Sequence, residues 1–394
     1  MKFMKKVIVK NATAEKITAG LPWIYRGEIL AMEEPVGRGD LVRLHARQGS
    51  FLGIGYVNPL SRITVRVLTR EDRSIDDAFI SSRISTALHK RRGLRKYTNA
   101  CRLIHAEADE LPGLVVDHYG GFLAVQINTA GMERLKPLVL SCLVETLQPE
   151  GIYEKSEENF RAREGLTTEE RVLHGRVPDS ILIEECGARF ALRWKESQKT
   201  GFYLDQRRNR RRVASQVKEG SDVLDLFSNT GGFGIHAALR GARSVTLVDV
   251  SAAALAQAGE NIRLNHLAGV HVTRSDAFDY LRASYEKGRS FDLIVMDPPS
   301  FAQSRRMRDG ALRAFRQLLS GCLRLLRADG VLAVFSCSHA ISLDDLMGAS
   351  LKAAGDTGTR LDLLDCMLQD IDHPVGLHIP NSLYLKGLLI RKAV

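Results

Sequence analysis

A chain of 394 residues, 44% hydrophobic and 26% charged, has the size of two or three domains and enough apolar material for full cores. That excludes a single small binding module and a disordered polymer. Its 56 Lys and Arg against 46 Asp and Glu leave a formal charge of +10, which signals either solubility or a polyanionic partner according to where the charge sits.

The opening MKFMKKVIVK is basic, but its apolar run ends at Lys10, far short of a signal-peptide core, and no stretch approaches a membrane span. The expectation is a cytoplasmic protein with no membrane association. Up to about residue 70, short β-like runs (VIVK, LVRLHA, FLGIGYV, ITVRVLT) alternate with turn signals at Gly20-Leu-Pro22 and Gly37-Arg-Gly39-Asp40. They predict a small barrel or curved sheet over residues 1–73. From Ser74, Phe79, Ile80, Ile84, Ala87 and Leu88 recur at helical spacing. Between Arg83 and Arg102 the same stretch holds seven Lys or Arg and no acid. Such a run is either a solvated helix face or a phosphate-facing surface, with Arg91 and Arg92 as the candidate contacts.

LPGLVVDHYGG, FLAVQIN, a helix around Glu133–Leu147 and the strand-like ILIEE predict a mixed α+β segment, residues 74–185, in which the charges of Glu154–Glu170 form an exposed loop. Residues 186–394 alternate strands (VLDLF, SVTLVDV, HVTRSDA, FDLIVMD, VLAVFSC) with helical stretches, the mark of a parallel sheet wound on both faces. LDLLDC and LYLKGLLIRK complete seven strands. The fold class is therefore α/β: a doubly wound seven-stranded sheet preceded by a β module and a central α+β domain.

In such a sheet ligands collect at the carboxyl ends of the strands. The first end is Asp225-Leu-Phe227-Ser-Asn229-Thr230-Gly231-Gly232-Phe233-Gly234, whose glycines permit a tight turn beside a helix N-terminus. The second end, Asp249, is placed to accept from a ribose diol, or else to cap the next helix, which Ser251 can do instead. After the third strand, Asp276 can accept from an adenine amino group and Phe278 can pack on the ring beside Ala277; helix capping is the alternative for Asp276. Asp297-Pro298-Pro299-Ser300-Phe301 follows the fourth strand, its prolines stiffening the turn that carries Asp297. The fifth strand ends Ser336-Cys337-Ser338-His339, placing a thiol beside Asp297. The other five cysteines (Cys101, Cys142, Cys186, Cys322, Cys366) are read as small buried hydrophobes, and no metal site is expected.

The DLFSNTGGFG turn, Asp249, SDAF and DPPSF resemble the class I S-adenosylmethionine-dependent methyltransferases. With the N-terminal β module, GFYLDQR within Gln198–Arg210 and the SCS tripeptide, the chain is similar over nearly its whole length to the bacterial ribosomal RNA large subunit methyltransferase I family. Members are RNA cytosine-5 methyltransferases with an N-terminal PUA domain. The resemblance implies S-adenosylmethionine as cofactor, held by Asp225, Phe227, Asn229, Thr230, Gly231 and Gly232 at the methionine portion, Asp249 at the ribose and Asp276, Ala277 and Phe278 at the adenine. It implies that Tyr203, Asp205 and Gln206 close that site, with Asp297 beside it. Cys337 matches the nucleophile and Asp297 the acid. A neighbouring group of RNA cytosine-5 enzymes carries a second cysteine after the proline of this turn; here Pro299 and Ser300 follow.

The chemistry independently favours a thiol, since carbon 5 of cytosine becomes nucleophilic only after a thiolate adds to carbon 6. The target base must be reached face-on, so it is single-stranded or flipped. Pro298, Pro299 and Phe301, or Tyr203, can border it, the aromatics being equally suited to core roles. His339 can tune the thiol. Arg208 and Arg211 of QRRNRRR join Arg91, Arg92 and the Arg305–Arg308 stretch as phosphate contacts. The implied partner is 23S ribosomal RNA, naked or in a precursor particle, and the chain acts alone or as a homodimer. Competing readings are amino-group methylation at the DPP turn, which needs no cysteine, an NAD-dependent oxidoreductase, and a non-catalytic RNA-binding assembly factor.

Overall fold

The computed structural model describes residues 4–168, 170–194, 201–302, 304–379 and 381–393. The N-terminal runs pair as β1 (Lys5–Val9), β2 (Trp23–Tyr25), β3 (Ile29–Met32), β4 (Leu41–Ala46), β5 (Phe51–Val57) and β6 (Ile63–Thr69), in the order β2-β6-β5-β4-β1-β3, with α1 (Asn11–Thr18) after β1. Alternation along β4 turns Val42, Leu44 and Ala46 inward, and they meet Val7, Val9, Ile17 and Ile24.

The central segment comprises α2 (Asp77–Arg91), β7 (Ala100–His105), β8 (Leu114–Tyr119), β9 (Phe122–Ile127), α3 (Ala130–Leu147), β10 (Gly151–Lys155), α4 (Glu158–Arg163) and β11 (Glu170–Gly175), with sheet order β11-β10-β9-β8-β7. Asp76 caps α2 by accepting from the Phe79 N–H at 3.0 Å, and the helix buries Phe79, Ile80, Ile84 and Ala87 at the spacing read from sequence.

These two segments pack as one unit. Tyr56 lies so close over Gly131 that a Cβ there would come within 1.9 Å of its ring, and its hydroxyl donates to the Pro112 carbonyl at 2.9 Å. Buried Glu164 accepts from Asn58 Nδ2 (2.8 Å), Ser61 Oγ (2.6 Å) and Arg66 Nη1 (2.9 Å). The stretch Glu154–Glu170 is therefore not the exposed loop expected from its charge. It runs through β10 and α4 and buries Glu154, Lys155, Arg161 and Glu164, Glu154 meeting Lys136 at 2.7 Å. Interior charges persist only when paired in this way.

The first compact unit contains Met1–Ile183, Leu192–Leu204 and Ile371–Ser382; the second contains Glu184–Ala191, Asp205–Asp370 and Leu383–Val394. A two-stranded hairpin, β12 (Ser180–Glu185) and β13 (Ala188–Arg193), has its ends in the first unit and its tip in the second, and the chain enters the second unit again at Asp205 and at Leu383.

The second unit contains α5 (Arg207–Ala214), β14 (Asp222–Leu226), α6 (Gly232–Leu239), β15 (Ser244–Asp249), α7 (Ala252–Leu264), β16 (Val270–Arg274), α8 (Ala277–Glu286), β17 (Phe291–Met296), α9 (Arg308–Leu325), β18 (Leu326–Ser336), α10 (Leu343–Thr357), β19 (Arg360–Leu368) and β20 (Lys386–Ala393). Its seven strands are ordered β16-β15-β14-β17-β18-β20-β19. The strands from β14 to β18 pair in parallel, whereas β20 runs antiparallel to both β18 and β19. Neighbouring residues serve opposite faces. Leu224, Ile294 and Leu332 pack with Phe315 and Leu346 of α9 and α10, while Val223, Leu293 and Ala333 pack with Ala237 and Ala258 of α6 and α7. Each such buried aliphatic side chain contributes roughly 1.5–3 kcal/mol, and together they fix the strand ends as a rigid edge.

Candidate active site

At that edge the turn after β14 bends sharply, with Phe227 (φ 59°), Asn229 (φ 48°) and Gly231 (φ 84°) in the left-handed region. Asp249 ties the turn down, accepting from the Asn229 N–H and the Ser251 N–H, both at 2.9 Å. Ser251 itself caps α7 through the Ala254 N–H at 3.2 Å, so the capping role that competed for Asp249 is filled. Gly234 serves packing: a Cβ there would lie 2.2 Å from Leu247 Cδ2, preventing α6 from seating on β15. Asn261, fully buried and not singled out from sequence, donates to the Thr230 carbonyl at 3.0 Å. Asp276 caps α8 with one of its oxygens, Oδ1 accepting from the Phe278 N–H at 2.8 Å. Ala277 is buried there, and Phe278 packs partly against the core.

Asp225 accepts from the Gly234 N–H at 2.9 Å, but its second oxygen is buried without a hydrogen-bond partner, as is Ser228 Oγ. Burial pushes the Asp225 carboxyl up to about 8, opposed by the Gly234 N–H and reinforced by the charges of Asp297 and Asp249. An orphaned acceptor among three carboxylates suits a ligand bearing positive charge. S-adenosylmethionine, with its sulfonium and ammonium groups, fits that requirement; a dinucleotide pyrophosphate does not.

Asp297 accepts from Gln206 Nε2 at 3.0 Å, and Gln206 Oε1 accepts from Asn209 Nδ2 at 2.6 Å. Gln206 and Asn209 are both buried, so a chain of amides orients the carboxylate. Asp205 accepts from the Tyr384 hydroxyl at 2.7 Å. Tyr203 is half-buried and belongs to the first unit, and Gln198–Thr200 lie outside the described residues. Pro298 is buried and Pro299 exposed. Phe301 packs edge-on against Phe227 (6.4 Å between ring centroids) and Phe315 (5.4 Å), a core role.

Cys337 leaves β18 half-buried. The next residue fastens it: Ser338 Oγ donates to the Ala302 carbonyl at 2.6 Å, tying the turn after β18 to the Asp297 turn. His339 is held below its ordinary value by partial burial and by the Lys386 charge, so it is a neutral imidazole rather than a cation beside the thiol. Of the remaining cysteines, Cys101, Cys142 and Cys322 are buried as expected, burial pushing Cys322 up to about 12. Cys366 is exposed on β19 and Cys186 half-buried, which corrects the uniform reading of all five as interior.

The arginine runs divide sharply. Arg91, expected to touch phosphate, is 2% exposed and grips Asp109 through two bonds of 2.7 and 2.6 Å; it is a core ion pair. Arg92, Arg95 and Lys96 are exposed and make no ion pair among the described residues. Arg207 and Arg210 are also buried. Arg210 grips Glu185 at 2.6 and 2.8 Å, and His236 Nε2 lies 3.1 Å from the same carboxylate. Burial opposes the Glu185 charge, yet Arg210 and His236 hold its carboxyl down at about 2. Arg208 and Arg211 remain exposed. Arg308 pairs with Asp345, and the side chain of Arg305 lies outside those described.

Comparison with known proteins agrees with this geometry. Residues 7–70 match the PUA-like domain family and residues 160–378 the S-adenosylmethionine-dependent methyltransferase family. The chain is 38% identical over 392 residues to ribosomal RNA large subunit methyltransferase I of Shewanella amazonensis, covering 98% of this chain and 99% of that protein. It is 39% identical over 381 residues to the Aeromonas salmonicida protein of the same name, covering 94% and 95%. A solved methyltransferase complexed with SAH superposes with a TM-score of 0.84 at 23% identity, over 98% of this chain and 100% of that chain.

Proposed function

Because the chain belongs to the ribosomal RNA large subunit methyltransferase I family and is an S-adenosylmethionine-dependent methyltransferase, we propose that it methylates carbon 5 of a cytosine in 23S ribosomal RNA through a covalent bond to Cys337. The observation that carries this reading is the Ser338–Ala302 hydrogen bond, which keeps the thiol turn and the Asp297 turn together. A thiol fastened beside an oriented carboxylate is what cytosine-5 chemistry needs and what amino-group methylation does not.

Cys337, as thiolate, adds to carbon 6 of the flipped base, and the ring electrons displaced by the new C–S bond make carbon 5 nucleophilic. Asp297, aimed by Gln206, hydrogen-bonds the base near N3 and N4 and stabilises the charge that develops there. The Asp225–Gly234 turn, Asp249, Asp276–Phe278 and the Asp205–Gln206 pair would hold S-adenosylmethionine, which would supply the methyl group that carbon 5 takes up. A base then removes the carbon-5 proton, the C–S bond breaks and Cys337 departs with its electron pair. Arg92, Arg95, Lys96, Arg208 and Arg211 contact phosphates, and the PUA-like module adds affinity and placement. The test is to map 5-methylcytosine in ribosomal RNA from cells with and without the protein. Loss of one 23S site supports the reading, and an unchanged map overturns it.

A further inference from the structure

The mechanism above uses a thiolate, and an ordinary cysteine is mostly protonated at neutral pH. Neither Gln206 nor Asp297 addresses that, and His339 is neutral. A buried ammonium reaches the same turn from β20. Lys386 is opposite Ser336 in the β18–β20 register, and its Nζ donates to the Ser338 carbonyl at 2.7 Å. It therefore reaches across both neighbours of Cys337. The side chain is 6% exposed, so water screens its charge poorly. Among the described residues the charged or titratable groups that act on it are Cys337, Asp345 of α10 and His339, and Asp345 is already engaged by Arg308 and by the Ser342 N–H at 2.9 Å. Cys337 stands between the two residues that Lys386 meets, so the ammonium's charge falls on the thiol turn. A lysine is seldom buried without such a purpose, since desolvating an ammonium costs several kcal/mol unless partners offset it.

Resting on the cytosine-5 reading, we propose that Lys386 is a positioning residue that holds the Cys337 turn by its bond to the Ser338 carbonyl and stabilises the thiolate with its charge. Antiparallel insertion of β20 beside β18 is what brings this lysine to the reactive edge, which gives that strand a chemical role besides completing the sheet.

The test is the pH profile of Cys337 alkylation by iodoacetamide, read at the Cys337 peptide by mass spectrometry so that Cys366 and Cys186 do not contribute. In Lys386→Met the midpoint should move up by about one pH unit, which slows alkylation at pH 7 roughly tenfold. Lys386→Gln, which can still donate to the carbonyl but carries no charge, should shift likewise, and Lys386→Arg should stay near wild type. S-adenosylmethionine affinity by calorimetry verifies that each variant is folded. If Lys386→Gln or Lys386→Met, with affinity retained, keeps the wild-type alkylation profile, the charge role is wrong. That result is independent of the cytosine-5 reading, which fails instead if Cys337→Ala still transfers methyl groups.

Discussion

Gln206 Nε2 and Asp297 Oδ2 are 3.0 Å apart, joining a residue sixteen positions before β14 to the turn after β17. The bond gives Asp297 one orientation, and Asn209 fixes Gln206 in turn. Gln206→Leu should remove it at near-constant volume. A hydrogen bond to a charged group contributes about 1.5–3 kcal/mol, so kcat should fall roughly tenfold to a hundredfold with S-adenosylmethionine affinity little changed. Steady-state methyl transfer to ribosomal RNA, with calorimetry for the cofactor, checks this.

Cys337→Ala should abolish methyl transfer while leaving cofactor binding and the melting temperature close to wild type, because the thiol is half-buried and the turn is held by Ser338. Full activity in this variant would restore the amino-group alternative.

Asp225 carries its proton up to about pH 8 when no ligand is bound, whereas in the unfolded chain a carboxyl loses it near 4. Its contribution to stability is thus complete below about pH 4 and is lost as pH rises towards 8. Urea denaturation of the ligand-free protein between pH 5 and 9 should show that loss, and Asp225→Asn should flatten it. A cationic cofactor favours the ionised carboxylate, so wild-type affinity for S-adenosylmethionine should rise with pH up to about 8 while that of the variant stays level.

Glu185 behaves in the opposite sense. Its carboxyl is held at about 2 against an ordinary 4.5, so its stabilising contribution is present above about pH 4.5 and is lost as pH falls through 2. Glu185→Gln leaves the Arg210 guanidinium buried against an uncharged amide and should cost about 3–5 kcal/mol in urea denaturation at pH 7.

Arg91 and Arg92 are neighbours in sequence with different tasks. Arg92→Glu should weaken RNA binding and lower the salt dependence of its affinity by about one counterion without altering stability. Arg91→Ala should instead destabilise the fold by about 3 kcal/mol, because it leaves buried Asp109 to the part-exposed Lys90 ammonium at 3.0 Å and the His105 N–H at 2.8 Å. RNA affinity measured at several salt concentrations, beside thermal melts, separates the two.

This pair shows where sequence reading stops. Strand ends such as Asp249 and Asp297 were legible because buried parallel strands are continuous apolar runs and the acid or proline that ends them stands out. Which arginine of a basic run faces water depends on a partner such as Asp109, eighteen residues away, or Glu185 for Arg210, and no local pattern records that. The same holds within Glu154–Glu170, where Glu154, Arg161 and Glu164 read as solvated yet pair in the interior. Lys386 was hidden for a related reason: LYLKGLLIRK reads as a strand, but its antiparallel placement sets the lysine opposite Ser336 and on the Ser338 carbonyl.

That placement also orders events during folding. β19 joins the sheet only through β20, so until β20 has been synthesised β18 presents an open edge, and β19, though already made, has nothing to pair with. Long unpaired edges are where newly made chains stick to one another. The nascent protein is thus most exposed to aggregation and to chaperone capture just before β20 emerges, and the segment that ends that exposure is the one that delivers Lys386.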